Sequence, residues 1–122
     1  TYSGHPLAAA CALATLDAYQ SEGLFEQSKA LAPYLADSAH ALKGLSHISD
    51  IRTIGLTAAI ELEPRTDAPG QRGYEVMKAA WEKGVMVRVT GDILAFSPPL
   101  IASKDHIDIL FNCIGEILPT IN

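Results

Sequence analysis

The stretch Val85-Met86-Val87-Arg88-Val89-Thr90-Gly91-Asp92-Ile93-Leu94-Ala95-Phe96-Ser97 decides the fold class of this chain. Two short runs of apolar, β-favouring residues flank Thr90-Gly91-Asp92, and Pro98-Pro99 stops the second run. Runs of this length bounded by turn residues read as strands, and Gly91 between them supplies the positive φ of a primed hairpin turn. The spacing predicts an antiparallel β-hairpin. Arg88 lies in its first strand between Val87 and Val89, so its side chain points to the face opposite theirs. A guanidinium in such a place is solvated at an edge, paired with Asp50, Glu61 or Glu63, or aimed at an external anion. Planar guanidinium grips carboxylate through two parallel hydrogen bonds. Arg88 is therefore the first candidate binding residue, for a substrate carboxylate.

The elements on either side follow from periodicity. Tyr74, Met77, Ala80 and Trp81 share one helical face and predict a helix ended by Gly84, after a loop from Pro64 through Gly73. Ile48–Ile54 and Thr57–Glu63 alternate, and the short Gly55-Leu56 link makes them antiparallel neighbours. Beyond the hairpin, Ser103 caps a helix with Asp105 in its first turn. Its apolar stripe is Ile107, Leu110, Phe111, Ile114, Ile117, Leu118 and Ile121.

Towards the N-terminus, Leu24–Lys43 places Leu24, Ser28, Leu31, Leu35 and Leu42 on one face, with Ala32 and Ala39 filling in. Pro33 is expected to bend this helix and Gly44 to terminate it. Leu7–Gln20 is Ala-rich and apolar nearly all round, which suits a helix inside a larger assembly. Pro6 fits its first turn, with Ser3 or His5 near the cap. The predicted order is helix, helix, strand, strand, helix, strand, strand, helix. That is an α+β fold: a small, mostly antiparallel sheet with packed helices.

The chain has 122 residues, enough for one domain that buries roughly 65% of its unfolded surface. A hydrophobic share of 48% and a charged share of 19% are ordinary for a globular protein, and the net charge of −5 speaks against nucleic acid or an anionic membrane as partner. No run approaches the roughly 20 apolar residues of a membrane span, and no signal-peptide pattern opens the chain, so a cytoplasmic location is expected. Cys11 and Cys113 sit among apolar neighbours in predicted helices and are expected as buried, reduced thiols.

Other candidates are weaker. His5, His40, His47 and His106 lack metal-ligand spacing, and no metal site is expected. Asp50 beside Arg52 is an acid or base, or more simply one half of a strand-end ion pair. Ser97 has no nucleophile elbow, and neither a phosphate loop nor a dinucleotide fingerprint is present. Thr1, Tyr2, Ser3, Gly4 and His5 offer hydroxyls and N–H groups before a helix start, a place that suits either a phosphate or an ordinary cap.

Three stretches together resemble one family. Thr1-Tyr2-Ser3-Gly4-His5-Pro6-Leu7-Ala8 is similar to the T-[YF]-S-[GA]-H-P segment of class III pyridoxal-phosphate aminotransferases. Asp50-Ile51-Arg52-Thr53-Ile54-Gly55-Leu56 resembles the D-I-R-x-x-G-L strand of that family. Val87-Arg88-Val89-Thr90-Gly91-Asp92-Ile93-Leu94 and Ser97-Pro98-Pro99-Leu100 resemble its V-R-x-x-G-D-x-[IL] and S-P-P-L. The likeness is nearest to the ω-amino acid (β-alanine):pyruvate aminotransferases. It implies the C-terminal small domain of a fold type I enzyme, with residues 1–44 as interdomain loop and helices and residues 45–122 as the small domain. It further implies that Arg88 binds the carboxylate of the amino or keto acid, and that Thr1 bonds the pyridoxal 5'-phosphate phosphate of the neighbouring subunit in a homodimer or tetramer.

In that family the cofactor lysine and the aspartate facing the pyridine nitrogen belong to a large domain upstream. Lys29, Lys43, Lys78, Lys83 and Lys104 lie outside any such motif. No catalytic residue is therefore expected within this chain, and alone it is expected to be inactive. Two other classes compete. A stand-alone amino-acid-binding regulatory module would show the order β-α-β-β-α-β, and an interaction domain would use its apolar first helix to dock on a partner.

Overall fold

In the computed structural model, which describes residues Thr1–Asn122, the hairpin forms where the sequence places it. Strand β3 (Arg88–Thr90) pairs antiparallel with β4 (Ile93–Phe96), and Thr90 opposes Ile93 across a two-residue loop. Gly91 takes the positive φ, +60°, at the first loop position, where glycine serves a type II′ hairpin. Strands β1 (Ile48–Ile54) and β2 (Thr57–Leu62) form a second antiparallel pair, and β2 also pairs with β4. The sheet order is β1-β2-β4-β3, antiparallel throughout. Two helices precede the first strand and β1 adjoins β2, so the β-α-β-β-α-β order of a regulatory module is not formed.

Register divides the sheet into two faces. One row runs Ile51, Ile60, Leu94, Val89, and the next core row joins Thr53, Ala58 and Phe96. Ile60 and Leu94 are fully buried, as are Leu35, Val76 and Ile114 from the helices covering this face. Those helices are α2 (Leu24–His40), α3 (Gln71–Glu82) and α4 (Lys104–Ile117), which continues into a 3-10 turn at Leu118–Thr120. Helix α2 lies on β1 and β2, α3 lies on β3 and β4, and α4 packs against both α2 and α3. Burial of a large aliphatic side chain contributes about 1.5–3 kcal/mol.

Helix α1 (Pro6–Ser21) stands apart. Pro6 occupies its first turn, His5 is its N-cap, and none of its 16 residues is buried. Leu7, Leu13 and Leu16 are all exposed. It packs against α2, where Tyr19 meets Phe25 edge-on at 5.1 Å between ring centres.

Four expectations need correction. Cys113 is buried, but Cys11 is exposed because α1 contributes nothing to the core; both thiols are free. Helix α2 stops at His40, short of the expected Lys43, and Gly44 turns the chain four residues later with φ +95°. Strand β3 begins only at Arg88, although Val85 and Val87 before it are buried.

Helix α3 differs most. It begins at Gln71 rather than after Gly73, and it buries Arg72, Gly73, Val76 and Ala80. Tyr74 and Trp81, read as sharing a face with Ala80, are 50% and 68% exposed, whereas Ala80 is buried. The helix carries two apolar stripes, and the buried one includes Arg72 because its guanidinium finds main-chain acceptors there. It donates to the Glu63 carbonyl and to the Asn122 main-chain oxygen at 3.3 Å.

Arg65 joins the same cluster. It pairs bidentately with Glu75, both bonds at 2.7 Å, and also donates to the Asn122 oxygen at 2.9 Å. The Arg65 guanidinium, helped by Gln71, lowers the Glu75 carboxyl from its ordinary 4.5 to about 2.

Two predictions follow from this architecture. Ile60→Ala should lower the unfolding free energy by about 2–5 kcal/mol in urea titration, and a loss near zero would contradict the face assignment. The Glu75 value is depressed on folding, so its stabilisation is fully present above pH 4.5 and fades as the pH falls towards 2. Glu75→Gln should therefore be less stable than the parent at neutral pH, with the gap closing across that window. A gap that stays constant down to pH 2 would refute the ion pair's contribution.

Candidate functional site

The face of the sheet away from the helices carries the charged groups. One row across all four strands reads Arg52, Ala59, Ala95, Arg88. Strands lie about 4.8 Å apart, so the two arginines are roughly 14 Å from each other along the row, with only methyl groups between. The side chains of Ala59 and Ala95 make a low floor there.

The two arginines differ in company. Arg52 donates to Asp50 at 2.6 Å and to Glu61 at 2.7 Å. Hydrogen bonds to Glu61 and then to Asp50 raise its pKa above the ordinary value. Asp50 is thus half of an ion pair, in keeping with the simpler of its two sequence readings. The Arg88 side chain makes no hydrogen bond and no salt bridge, and the residue is exposed. Two of the three carboxylates considered as its partners are held by Arg52 instead, and Glu63 forms no ion pair. Arg88 therefore presents five donors to the outside above a flat, small-residue surface. An incoming carboxylate finds an uncommitted guanidinium, and such a charge-assisted bond contributes on the order of 1.5–3 kcal/mol.

What fixes Arg88 in place lies in the adjoining loop. Asp92 is buried, and its carboxylate accepts from the Gly70 N–H at 2.6 Å and the Gly73 N–H at 2.9 Å. Gly70 is the N-cap of α3, with φ +83° and no side chain to close its own helix. Asp92 supplies that cap from another element. A Cβ at Gly73 would stand 2.4 Å from the Gly91 carbonyl oxygen and 3.1 Å from the Asp92 Cα, so only glycine lets helix and hairpin touch. This joint was not foreseen from the sequence. Its signal was the pair of glycines three apart, Gly70 and Gly73, with an aspartate waiting in the hairpin turn.

Thr1 lies elsewhere. It precedes α1, which packs on α2, and α2 borders β1, the strand farthest from β3. The chain does not bring Thr1 and Arg88 together. Within residues 1–5, the His5 N–H donates to the Tyr2 carbonyl at 3.1 Å, and His5 Nδ1 accepts from the Ala8 N–H at 3.3 Å. The hydroxyls of Thr1 and Ser3 and the N–H groups of Tyr2, Ser3 and Gly4 have no partner in the chain. That donor set fits a phosphate, which needs several N–H and O–H donors at a helix start.

Two of the remaining histidines have partners within the chain. His106 closes a capping box with Ser103, and His47 Nε2 lies 3.1 Å from the Ile121 carbonyl. His40 is exposed in the last turn of α2. No three His, Cys, Asp or Glu side chains gather as a metal site would require. No helix is long and apolar enough to cross a membrane.

Known proteins match this sequence and this fold. The profile of the aminotransferase class-III family covers residues 1–118. An omega-aminotransferase of Caulobacter vibrioides is 48% identical over 118 residues, 97% of this chain and 27% of the relative. A beta-alanine–pyruvate aminotransferase of Pseudomonas aeruginosa is 41% identical over the same share of this chain and 26% of its own length. Among solved structures, the omega transaminase from Pseudomonas jessenii in complex with PMP superposes with a TM-score of 0.89 at 30% identity, covering 96% of this chain and 27% of that one. This chain thus spans about a quarter of the proteins it resembles. With its profile match running almost end to end, the chain belongs to the class-III aminotransferase family.

Proposed function

We propose that this chain is the C-terminal part of a pyridoxal 5'-phosphate-dependent transaminase that moves an amino group from an ω-amino acid or amine to pyruvate or another keto acid. The carrying observation is Arg88: the one arginine of the outer sheet row left without a carboxylate, in a chain of the class-III family. The cofactor, when bound, carries the amino group and acts as electron sink for the proton shift. Arg88 binds and orients the substrate carboxylate, which places the reacting carbon without touching it. The Thr1 hydroxyl donates to the cofactor phosphate of the neighbouring subunit, so the working form is a homodimer or tetramer.

The upstream large domain provides the lysine that bonds the cofactor. All five lysines of this chain are exposed, and Lys83 pairs with Glu116 at 2.9 Å. The chain alone is accordingly inactive. Residues 1–44 connect the two domains, residues 45–122 form the small domain with α2 lying on its sheet, and the enzyme works in the cytoplasm.

Two replacements in the full-length enzyme test the two anion sites. Arg88→Ala should raise the KM for pyruvate by about 10- to 100-fold, the loss expected of one charged hydrogen-bonded contact. Unchanged KM and turnover would overturn the assignment. Thr1→Ala should weaken pyridoxal 5'-phosphate binding about tenfold in a fluorescence titration of the cofactor-free enzyme. An unaltered Kd would remove Thr1 from the phosphate site.

A further inference from the structure

We infer that Asp92 is a positioning residue for carboxylate recognition, holding the Arg88 hairpin against α3 through the N–H groups of Gly70 and Gly73. The inference rests on the role proposed for Arg88 and extends it to the group that sets where Arg88 stands. Strand β3 is only three residues long, lies at the sheet edge, and pairs on one side only. Its ladder to β4 spans only three residue pairs, Arg88 with Ala95, Val89 with Leu94 and Thr90 with Ile93, and no strand borders its other side.

The loop supplies the missing restraint at three points. The Asp92 carboxylate bonds two backbone donors of α3, at 2.6 and 2.9 Å. The Asp92 carbonyl accepts from the Leu62 N–H at 2.9 Å, which ties the loop to the end of β2. Gly73 lets the helix backbone rest directly on the Gly91 carbonyl. Bonds in which the acceptor is ionised are about twice as strong as neutral ones. The charge of Asp92 is thus placed where it locks two elements together, and Arg88 is only four positions away on one of them.

A purely structural cap would lower stability and leave substrate choice alone, whereas a positioning residue changes how well a carboxylate is told from its absence. The test compares pyruvate with propanal, a carbonyl acceptor without a carboxylate, using one amine donor and the full-length enzyme. The ratio of their kcat/KM values is independent of the fraction of enzyme that is folded. Asp92→Asn keeps the side-chain volume and one acceptor, and should lower the pyruvate-to-propanal ratio about tenfold. Gly73→Ala, which forces the joint open from the helix side, should move the ratio the same way.

Arg88→Ala should collapse the ratio further, and adding Asp92→Asn to it should change nothing more. If both Asp92→Asn and Gly73→Ala lower melting temperature but leave the ratio intact, the positioning role is wrong while that of Arg88 stands. If Arg88→Ala itself leaves the ratio intact, the role proposed for Arg88 fails, and this inference with it.

Discussion

Strand register is the constraint on which this molecule depends. A slip of one residue between β2 and the β3–β4 hairpin would move Leu94 out to water and turn Arg88 towards the hydrophobic face. Burying an unpaired guanidinium costs several kcal/mol, and exposing the core row forfeits the burial of Leu94 as well. Both penalties act in the same direction. The hairpin thereby has one acceptable register, in which Arg88 falls in a row with Ala95, Ala59 and Arg52.

Within that row the charges are distributed unequally, and the inequality has a local cause. Arg52 stands on the same strand as Asp50 and directly beside the strand that bears Glu61, so two carboxylates lie within bonding reach. Arg88 faces an alanine and, beyond it, another alanine. Neutralisation at one end and none at the other gives the outer face a single uncommitted cation. Surface ion pairs such as those of Arg52 contribute little to stability. Their effect here is to neutralise Asp50 and Glu61 at the far end of the row from Arg88.

Most of the fold was legible because it rests on alternation and on helical spacing. Thr57–Leu62, Ile93–Phe96 and the stripe from Ile107 to Leu118 all carry their buried residues at the period of their own element, whereas Ile48–Ile54 alternates only from Ile51 onward, past a bulge near Asp50. The start of α3 was not legible, since its cap comes from Asp92, twenty-two residues away from Gly70. Nor was its buried face, because Arg72 is satisfied by main-chain oxygens that no local pattern announces. Arg88 could be singled out by residue type and face alone. That Asp50 and Glu61 leave it free could not, because the outcome turns on which arginine reaches them first in three dimensions.

Helix α1 poses the last question of cause. An isolated helix of about 12–15 residues is marginal in water even when Ala-rich, and most helical stability in proteins comes from packing. This helix has 16 residues, buries none of them, and leaves Leu7, Leu13 and Leu16 facing outward. Its own sequence supplies the propensity, through four alanines before Leu13 and the Pro6 start, but the chain supplies no surface to cover its apolar side. The sheet domain closes its core without it. Within the chain α1, with Thr1 at its start, is held only through α2, whereas the strand that bears Arg88 is fixed by β4 and by the Asp92 joint with α3.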